Sequence, residues 1–180
     1  MQPQTKPFKS LDEKNAKFAY YSFVERYFLH SAQHNLTEVS DLEYTPVIGF
    51  QQHDFEYRRW GHMFIGEIKV RHDRDFNYTE GSLIEVKKYN ALMKLHRETG
   101  KTPVYLCFWK NGQVTIQNLL RYPNPELVLM PCPKDTANGG AYIEKECYLL
   151  SFFRGTEVEQ YDKPDMEVIR EKFKRKYVQQ

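Results

Sequence analysis

One stretch of the chain, residues 53–71, limits what the rest can fold into. Aromatic and charged residues alternate over 55–59, and an apolar, β-prone run follows over 63–70. Between them stands the pair Trp60-Gly61, a turn signal of the length that joins two antiparallel strands. The stretch therefore predicts a tight β-hairpin.

The length of the loop also fixes which residues face each other. A two-residue loop pairs Arg59 with His62 and, counting outward, Asp54 with Glu67. Directly opposed residues share one sheet face at about 5 Å, and Lys69 lies on that face because side chains alternate along a strand. The hairpin thus gathers two carboxylates and an amine into one polar cluster, either a functional site or a surface charge ladder.

Composition limits the class of protein. A chain of 180 residues that is 41% hydrophobic and 15% aromatic predicts one folded domain rather than a disordered chain. It has no apolar run near the ~20 residues of a membrane span, so we expect no membrane partner. The three cysteines, Cys107, Cys132 and Cys147, follow no metal-ligand spacing and indicate a reduced, cytoplasmic protein.

Two predicted helices carry a charged residue at a packing position. Capping-box patterns at Ser10 and Ser82 predict helices over 11–31 and 83–99. Glu25 lies on the aromatic stripe of the first helix and Lys88 on the apolar face of the second. Each either reaches the edge of its stripe or points to the polar cluster of the hairpin.

The remaining elements define the fold class. Residues 102–109 are nearly all apolar, as in a strand covered on both faces, and an alternating strand is predicted over 113–119. A strand, a helix and a second strand in this order form a crossover, which predicts an α/β fold with a mixed central β-sheet flanked by helices.

Less regular segments complete the chain. We predict a polar connector over 35–46, a short strand over 47–50 and a charged loop over 72–81. A long loop over 121–140 contains one extended piece, 126–130, and precedes a further strand over 142–153. The last element is a basic helix over 166–177, whose charges are either solvated or in contact with phosphates.

The polar cluster suits a hard divalent cation. Asp54 and Glu67 are oxygen ligands at a spacing suited to Mg²⁺ or Mn²⁺, and the backbone carbonyl of Ile68 is a further candidate. Such an ion binds a phosphodiester oxygen and activates a water, and Lys69 is placed to orient or deprotonate that water. The sequence therefore predicts phosphodiester hydrolysis.

Asp54 followed by Glu67-Ile68-Lys69 resembles the PD-(D/E)XK nuclease superfamily, with its restriction-endonuclease-like core. In that family a helix precedes the hairpin, and a helix and a strand follow it, as predicted here over residues 11–119. The resemblance implies that Glu25 from the preceding helix and Lys88 from the following one complete the site. The chain departs from the family pattern before Asp54, where His53 replaces proline.

The resemblance implies a metal-dependent (endo)nuclease that acts on nucleic acid, with DNA as the expected substrate. We expect a flexible N-terminus over 1–10, a nuclease-like domain over 11–163 and the basic helix over 164–180. The residues expected to contact nucleic acid are Arg71, Lys87, Arg170 and Lys174. A homodimer and a larger complex are both open. The rival hypothesis is a non-catalytic nucleic-acid-binding or accessory protein that keeps the fold.

Overall fold

The computed structural model describes residues 39–44, 52–71, 75–77, 79–133 and 142–160. The predicted helices over 11–31 and 166–177 and the predicted strand over 47–50 lie outside these residues. The division into an N-terminus, a domain and a basic helix therefore stays a prediction. Within the described residues, no helix is both long and apolar enough to cross a membrane.

The predicted hairpin is confirmed. Strand β2, Phe55–Arg59, pairs antiparallel with β3, His62–Arg71, in the expected register of Arg59 with His62. Trp60 and Gly61 form the loop, with φ of 52° and 77°. Positive φ at both loop positions is the geometry that matches the right-handed twist of the two strands.

A crossover connection through a helix links β3 to its parallel neighbour. Helix α1, Val86–Thr99, leads to β5, Thr102–Trp109, which runs parallel to β3 in a register from Phe64↔Thr102 to Arg71↔Trp109. Every residue of β5 after Thr102 is buried, because the central sheet is covered on both faces. The fold is therefore mixed α/β, as predicted.

Among the described residues, the central sheet has six strands in the order β1 (Val39–Tyr44), β2, β3, β5, β6 (Gln113–Asn118) and β9 (Glu157–Gln160). Strand β6, Gln113–Asn118, pairs with β5 and, on its other side, with β9, Glu157–Gln160. The predicted strand over 113–119 ends one residue early, because Asn118 accepts a hydrogen bond from the backbone of Leu120 and starts the 3₁₀ turn Leu119–Arg121.

The polar connector predicted over 35–46 is wrong in part. Its residues Val39–Tyr44 form β1, the edge strand that pairs with β2. The register of this pair shifts between Ser40 and Glu43, and Asp41 has a φ of 53°. An irregular, charged edge strand lacks the apolar alternation that identifies a strand in a sequence.

A second sheet of three strands, in the order β4-β8-β7, packs beside α1. Strand β4 is Gly81–Glu85, β7 is Glu126–Pro133 and β8 is Tyr142–Ser151. The strand predicted over 142–153 is confirmed. The long loop over 121–140 is wrong in part, since its extended piece is a full strand that reaches Pro133.

The helix predicted from residue 83 begins three residues later. Ser82 and Ile84 are buried on one face of β4, and Glu85 is the N-cap without a side-chain capping hydrogen bond. The Ser82 hydroxyl donates to the buried amide oxygen of Gln117 instead. The end of the helix is confirmed, because Gly100 adopts the left-handed conformation with a φ of 73°.

Gln117 joins the two sheets. Its side-chain nitrogen donates to the backbone oxygen of Leu150 on β8 at 3.1 Å and to the Tyr122 hydroxyl at 3.0 Å. With the hydroxyl of Ser82 on β4, every polar atom of this buried amide has a partner. A satisfied amide between two sheets fixes their relative position, since a shift would leave buried polar atoms without hydrogen bonds.

The fold leads to one prediction about packing. A Cβ at Gly66 would overlap the ring of Phe55, the residue opposite it. We expect Gly66→Ala to lower the free energy of unfolding in urea by about 1–3 kcal/mol. In a Phe55→Leu background the same change should lower it by at least about 1 kcal/mol less, because the overlap is relieved. Additive effects would contradict this packing.

Candidate active site

Asp54 is tied to β3 on both sides of Glu67. Its backbone N–H donates to the carbonyl of Gly66 at 2.8 Å, and its carboxylate oxygen Oδ2 accepts from the backbone N–H of Ile68, also at 2.8 Å. Both bonds lie outside the regular ladder of β2 and β3, whose last described pair is Phe55↔Gly66. Asp54 is thus anchored to the two backbone residues that flank Glu67, and the direct pairing of Asp54 with Glu67 stays a prediction.

The cluster lies on the face of the central sheet that α1 covers. Glu67 and Lys69 stand beside Tyr105 and Cys107 of β5. Those two residues belong to the same buried core cluster as Leu92 of α1. Charged groups therefore border an apolar core here, where the local dielectric is lower than in water and charge interactions are stronger.

Lys88 reaches the cluster from α1. Its Nζ lies 3.0 Å from Oε1 of Glu67 and 3.0 Å from Oε2. The side chain of Glu67 is 15% exposed and that of Lys88 is 38% exposed. Of the two alternatives for Lys88, the edge of the stripe and the polar cluster, the structure shows the second.

The electrostatics keep Lys88 charged. Burial lowers the pKa of Lys88, but the carboxylates of Glu67, Asp54 and Glu85 outweigh burial and raise the pKa above its ordinary value. An ammonium ion with a raised pKa holds its proton at neutral pH. Lys88 therefore acts as a fixed positive charge and not as a base.

Lys69 has a different environment from Lys88. It is half-buried on β3 and makes no hydrogen bond or salt bridge with another described residue. Burial raises the pKa of the neighbouring Cys107 thiol to about 11, and the charges of Arg71 and Lys69 act against that rise. The Lys69 amine is thus a cation beside the carboxylates that no carboxylate of the described residues neutralises through a salt bridge.

The carbonyl of Ile68 points toward the Asp54 side of β3. Gly66, two residues earlier, directs its carbonyl to Asp54, and the N–H of Ile68 does the same. Because backbone groups two residues apart in a strand point to the same side, the Ile68 carbonyl projects past Phe55, where β2 begins. This oxygen lies outside the β3–β5 ladder and next to the carboxylates.

The oxygens of Asp54, Glu67 and Ile68 form a set that fits a small, hard cation. Among the described residues no group of three or more His, Cys, Asp or Glu side chains lies together in a metal-binding arrangement. Mg²⁺ needs fewer, because it commonly uses one or two carboxylates and fills the other positions with water and substrate phosphate. The donor set therefore fits Mg²⁺ or Mn²⁺ rather than an enclosed structural metal.

The other predicted site residues are dispersed. Arg71 is half-buried and donates to the backbone oxygen of Leu83 at 3.1 Å, so it also anchors β4 to β3. Lys87 is exposed on α1. Three predicted residues lie outside the described part of the chain: Glu25, Arg170 and Lys174.

The sequence does not reveal a further acidic residue near Lys88, Glu85. Its carboxylate acts on Lys88 electrostatically and accepts from Lys145 of β8 at 3.0 Å. In the sequence, Glu85 is the last residue of the capping-box pattern that begins at Ser82, so its interactions with Lys88 and Lys145 are not apparent. The spacing of Glu85 and Lys88, three residues apart at a helix start, is the one signal that would have placed them together.

A second polar cluster lies next to Asp54. His53 Nε2 contacts Glu56 Oε1 at 2.9 Å, and Lys101 binds the other oxygen of Glu56. Burial lowers the pKa of His53, and the Glu56 carboxylate only partly counteracts it. His53 is therefore neutral at neutral pH, half-buried and packed beside the site.

Comparisons with known proteins give a structural match of low similarity. The structure is similar to the 1.6 Å structure of Hjc from Archaeoglobus fulgidus, a Holliday junction resolvase from an archaeal hyperthermophile, with a TM-score of 0.42 and 11% sequence identity. The match covers 72% of this chain and 83% of the other. No protein-family model matches the chain, and no curated protein matches it.

The ion pair of Lys88 and Glu67 leads to a prediction about stability. We expect Lys88→Met to lower the free energy of unfolding by about 1–2 kcal/mol, less than for a fully buried pair because Lys88 is partly exposed. Lys87→Met, at the exposed neighbouring position, should have no measurable effect.

The same pair sets the pH dependence of that difference. Since the folded pKa of Lys88 is raised above the ordinary value of 10.5, its stabilisation is complete below that pH and is lost as the pH rises through the folded pKa. Urea unfolding of wild type and Lys88→Met should therefore differ equally from about pH 7 to 9 and converge above about 10.5. A difference that falls between pH 7 and 9 would contradict the protonated state.

Proposed function

We propose that the protein is a Mg²⁺- or Mn²⁺-dependent nuclease of the PD-(D/E)XK type that hydrolyses phosphodiester bonds of DNA. One observation carries the proposal: Asp54, Glu67 and Lys88 come together from a hairpin and a helix, with Lys69 on the same strand face as Glu67. A surface charge ladder would not need a lysine from another element at 3.0 Å from the hairpin glutamate.

The order of elements supports a restriction-endonuclease-like core. A hairpin that carries the acidic residues is followed by α1 and by β5, parallel to the second hairpin strand. The polar cluster then lies between the sheet and the start of the crossover helix. The three-stranded sheet of β4, β7 and β8 is an addition to that core.

Asp54, Glu67 and the carbonyl of Ile68 are the residues proposed to hold the metal. A divalent cation bound there would polarise the scissile phosphodiester and lower the pKa of the attacking water. Asp54 is held for this task, because its second oxygen, Oδ2, is fixed by the backbone of Ile68. Glu25 is proposed to support the same site from the preceding helix.

Lys69 and Lys88 are proposed to have separate tasks. Lys69, without a salt bridge to a described carboxylate, is placed to position the water and to stabilise the negative charge that develops on the phosphate. Lys88 stays protonated and offsets the repulsion between the carboxylates. With Glu67 serving as a metal ligand, the Lys88 ammonium would be available to bind the scissile phosphate.

The proposed substrate contacts outside the cluster are Arg71, Lys87, Arg170 and Lys174. Positive side chains beside a phosphodiester site supply most non-specific affinity for nucleic acid. We also propose a cytoplasmic location, and a homodimer or a larger complex as the assembly that cuts DNA.

One observation favours the alternative, a non-catalytic nucleic-acid-binding or accessory protein. Both oxygens of Glu67 already lie 3.0 Å from Lys88, so this carboxylate is neutralised without a metal. A non-catalytic binding protein with the same fold would need only the ion pair of Lys88 and Glu67, and no metal. Metal binding separates the two functions before any substrate is known.

The first test is cleavage. With Mg²⁺ or Mn²⁺, the full chain should cut at least one of single-stranded, duplex and branched DNA. Lys69→Ala should lower the rate about 100-fold or more, the usual contribution of a group that assists proton transfer or charge stabilisation. Lys94→Ala, on the exposed side of α1, is the matched control and should cut like wild type. Full activity in Lys69→Ala would remove its proposed role.

The second test is metal binding without substrate. Calorimetry with Mn²⁺ should give one binding event in the wild-type protein, and Asp54→Asn should abolish it, because the amide cannot replace the carboxylate charge. Glu98→Gln changes the same charge on the exposed side of α1 and should bind normally. Absence of Mn²⁺ binding in the wild type would favour the non-catalytic alternative.

A further inference from the structure

A pocket lies at the loop end of the hairpin, on the face of the central sheet opposite the carboxylates. Its floor is made of Tyr57, Phe64, Val104 and Ile116. Tyr57 and Phe64 are cross-strand partners with stacked rings whose centroids lie 4.9 Å apart. Asp54 and Trp60 are six residues apart along the hairpin, about 20 Å in an extended strand. The pocket is therefore separate from the proposed active site.

The rim of the pocket is polar and carries a net positive charge. Arg59 forms an ion pair with Glu157 at 2.9 Å, and Asn118 offers a side-chain amide. Arg121 makes no salt bridge with a carboxylate of the described residues and donates to the backbone oxygen of Gly155 at 3.0 Å. One positive charge thus remains unneutralised at the rim.

The absence of a side chain at Gly155 leaves room for the Arg121 guanidinium. Gly155 has a φ of 75°, and a Cβ there would overlap the Arg121 guanidinium. The turn of residues 152–155 therefore closes directly against this arginine. The backbone oxygen of Gly155 thus holds the exposed Arg121 guanidinium at the pocket.

Trp60 is the unusual residue of the pocket. It has a φ of 52° and is 60% exposed. Loops of this type strongly favour Asn at this position, and a bulky residue with positive φ is strained. The Arg59 guanidinium lies 4.0 Å from the centre of the indole ring and holds it in place. Trp60 is thus a strained and exposed aromatic residue at the mouth of the pocket, held in place by an arginine. Strained residues cluster at functional and ligand-binding sites.

From these features we infer that the hairpin-end pocket is a second nucleic-acid site, in which Trp60 stacks on a base of a single strand and Arg121 binds an adjoining phosphate. The inference rests on the proposed function only for the class of ligand. A cavity of about 140 Å³ is small for a drug-sized ligand, which needs about 300–1,000 Å³, and suits one ring. Aromatic faces and guanidinium groups together are how proteins bind unpaired bases.

The proposal adds a substrate preference to the nuclease. Trp60 lies about 20 Å along the hairpin from the carboxylates, on the other face of the sheet. A DNA strand that reaches both sites would pass the loop end of the hairpin, so the protein would favour DNA with an unpaired segment near the cleaved bond. In duplex DNA the bases are stacked on each other and inaccessible to Trp60, so a duplex would make only the phosphate contact with Arg121.

The test measures binding in EDTA, where no cleavage occurs. A fluorescently labelled 12-nucleotide single strand is titrated with the full chain by anisotropy, beside the same strand with its central bases removed. Wild type should prefer the intact strand about 10-fold, as expected for one stacked base. A mononucleotide serves as competitor and separates a strand site from a free-nucleotide site, which would bind the monomer as tightly as the strand.

The key variant is Trp60→Asn, which suits the loop and should leave the melting temperature unchanged or higher. It should bind intact and abasic strands equally. Tyr142→Asn removes another exposed aromatic side chain, 70% exposed on β8, and should keep the 10-fold preference. Arg121→Gln should weaken both strands and reduce the salt dependence.

Three outcomes would overturn the inference: no preference in the wild type, a preference that survives in Trp60→Asn, or a mononucleotide that binds as tightly as the strand or more tightly. None of these bears on the proposed function, which fails if DNA is not cut when metal is added. Stacking at Trp60 without cleavage would leave a binding protein that uses this pocket.

Discussion

The parallel pairing of β3 with β5 is the constraint on which the rest of the structure depends. It requires a crossover, and α1 provides it across one face of the sheet. That helix covers the apolar part of the face with Leu92 and brings Lys88 to the charged part. An antiparallel neighbour would have needed only a turn, and no helix would then have faced Glu67.

Charge balance at the cluster follows from this arrangement. Asp54 and Glu67 carry like charges on the hairpin, and like charges repel more strongly where a site borders a buried core. The positive charge of Lys88 offsets this repulsion in the structure, and a divalent cation would offset it when substrate is bound. The same carboxylate, Glu67, serves both partners, so metal binding and release of Lys88 are coupled in the proposed mechanism. Glu85 and Lys145 extend the network to the second sheet.

Sequence reasoning succeeded where a local rule determines the geometry. The length of the Trp60-Gly61 loop predicts the register of β2 with β3, and helical spacing places Lys88 on the side of α1 that meets Glu67. It failed where distant contacts decide. Ser82 has the pattern of a helix cap, yet its hydroxyl binds Gln117, 35 residues away. The strand nature of β1 depends on pairing with β2, and no residue within β1 signals it. The roles assigned to Glu25, Arg170 and Lys174 remain predictions.

The central claim is that Asp54, Glu67 and the Ile68 carbonyl hold a divalent cation. Anomalous X-ray diffraction from crystals grown with Mn²⁺ tests it most directly. We expect an anomalous peak about 2.1–2.3 Å from an oxygen of each of the three residues, with the ammonium of Lys88 moved away from Glu67. A crystal with Glu67 still bound to Lys88, and no peak between the carboxylates at saturating Mn²⁺, would contradict it.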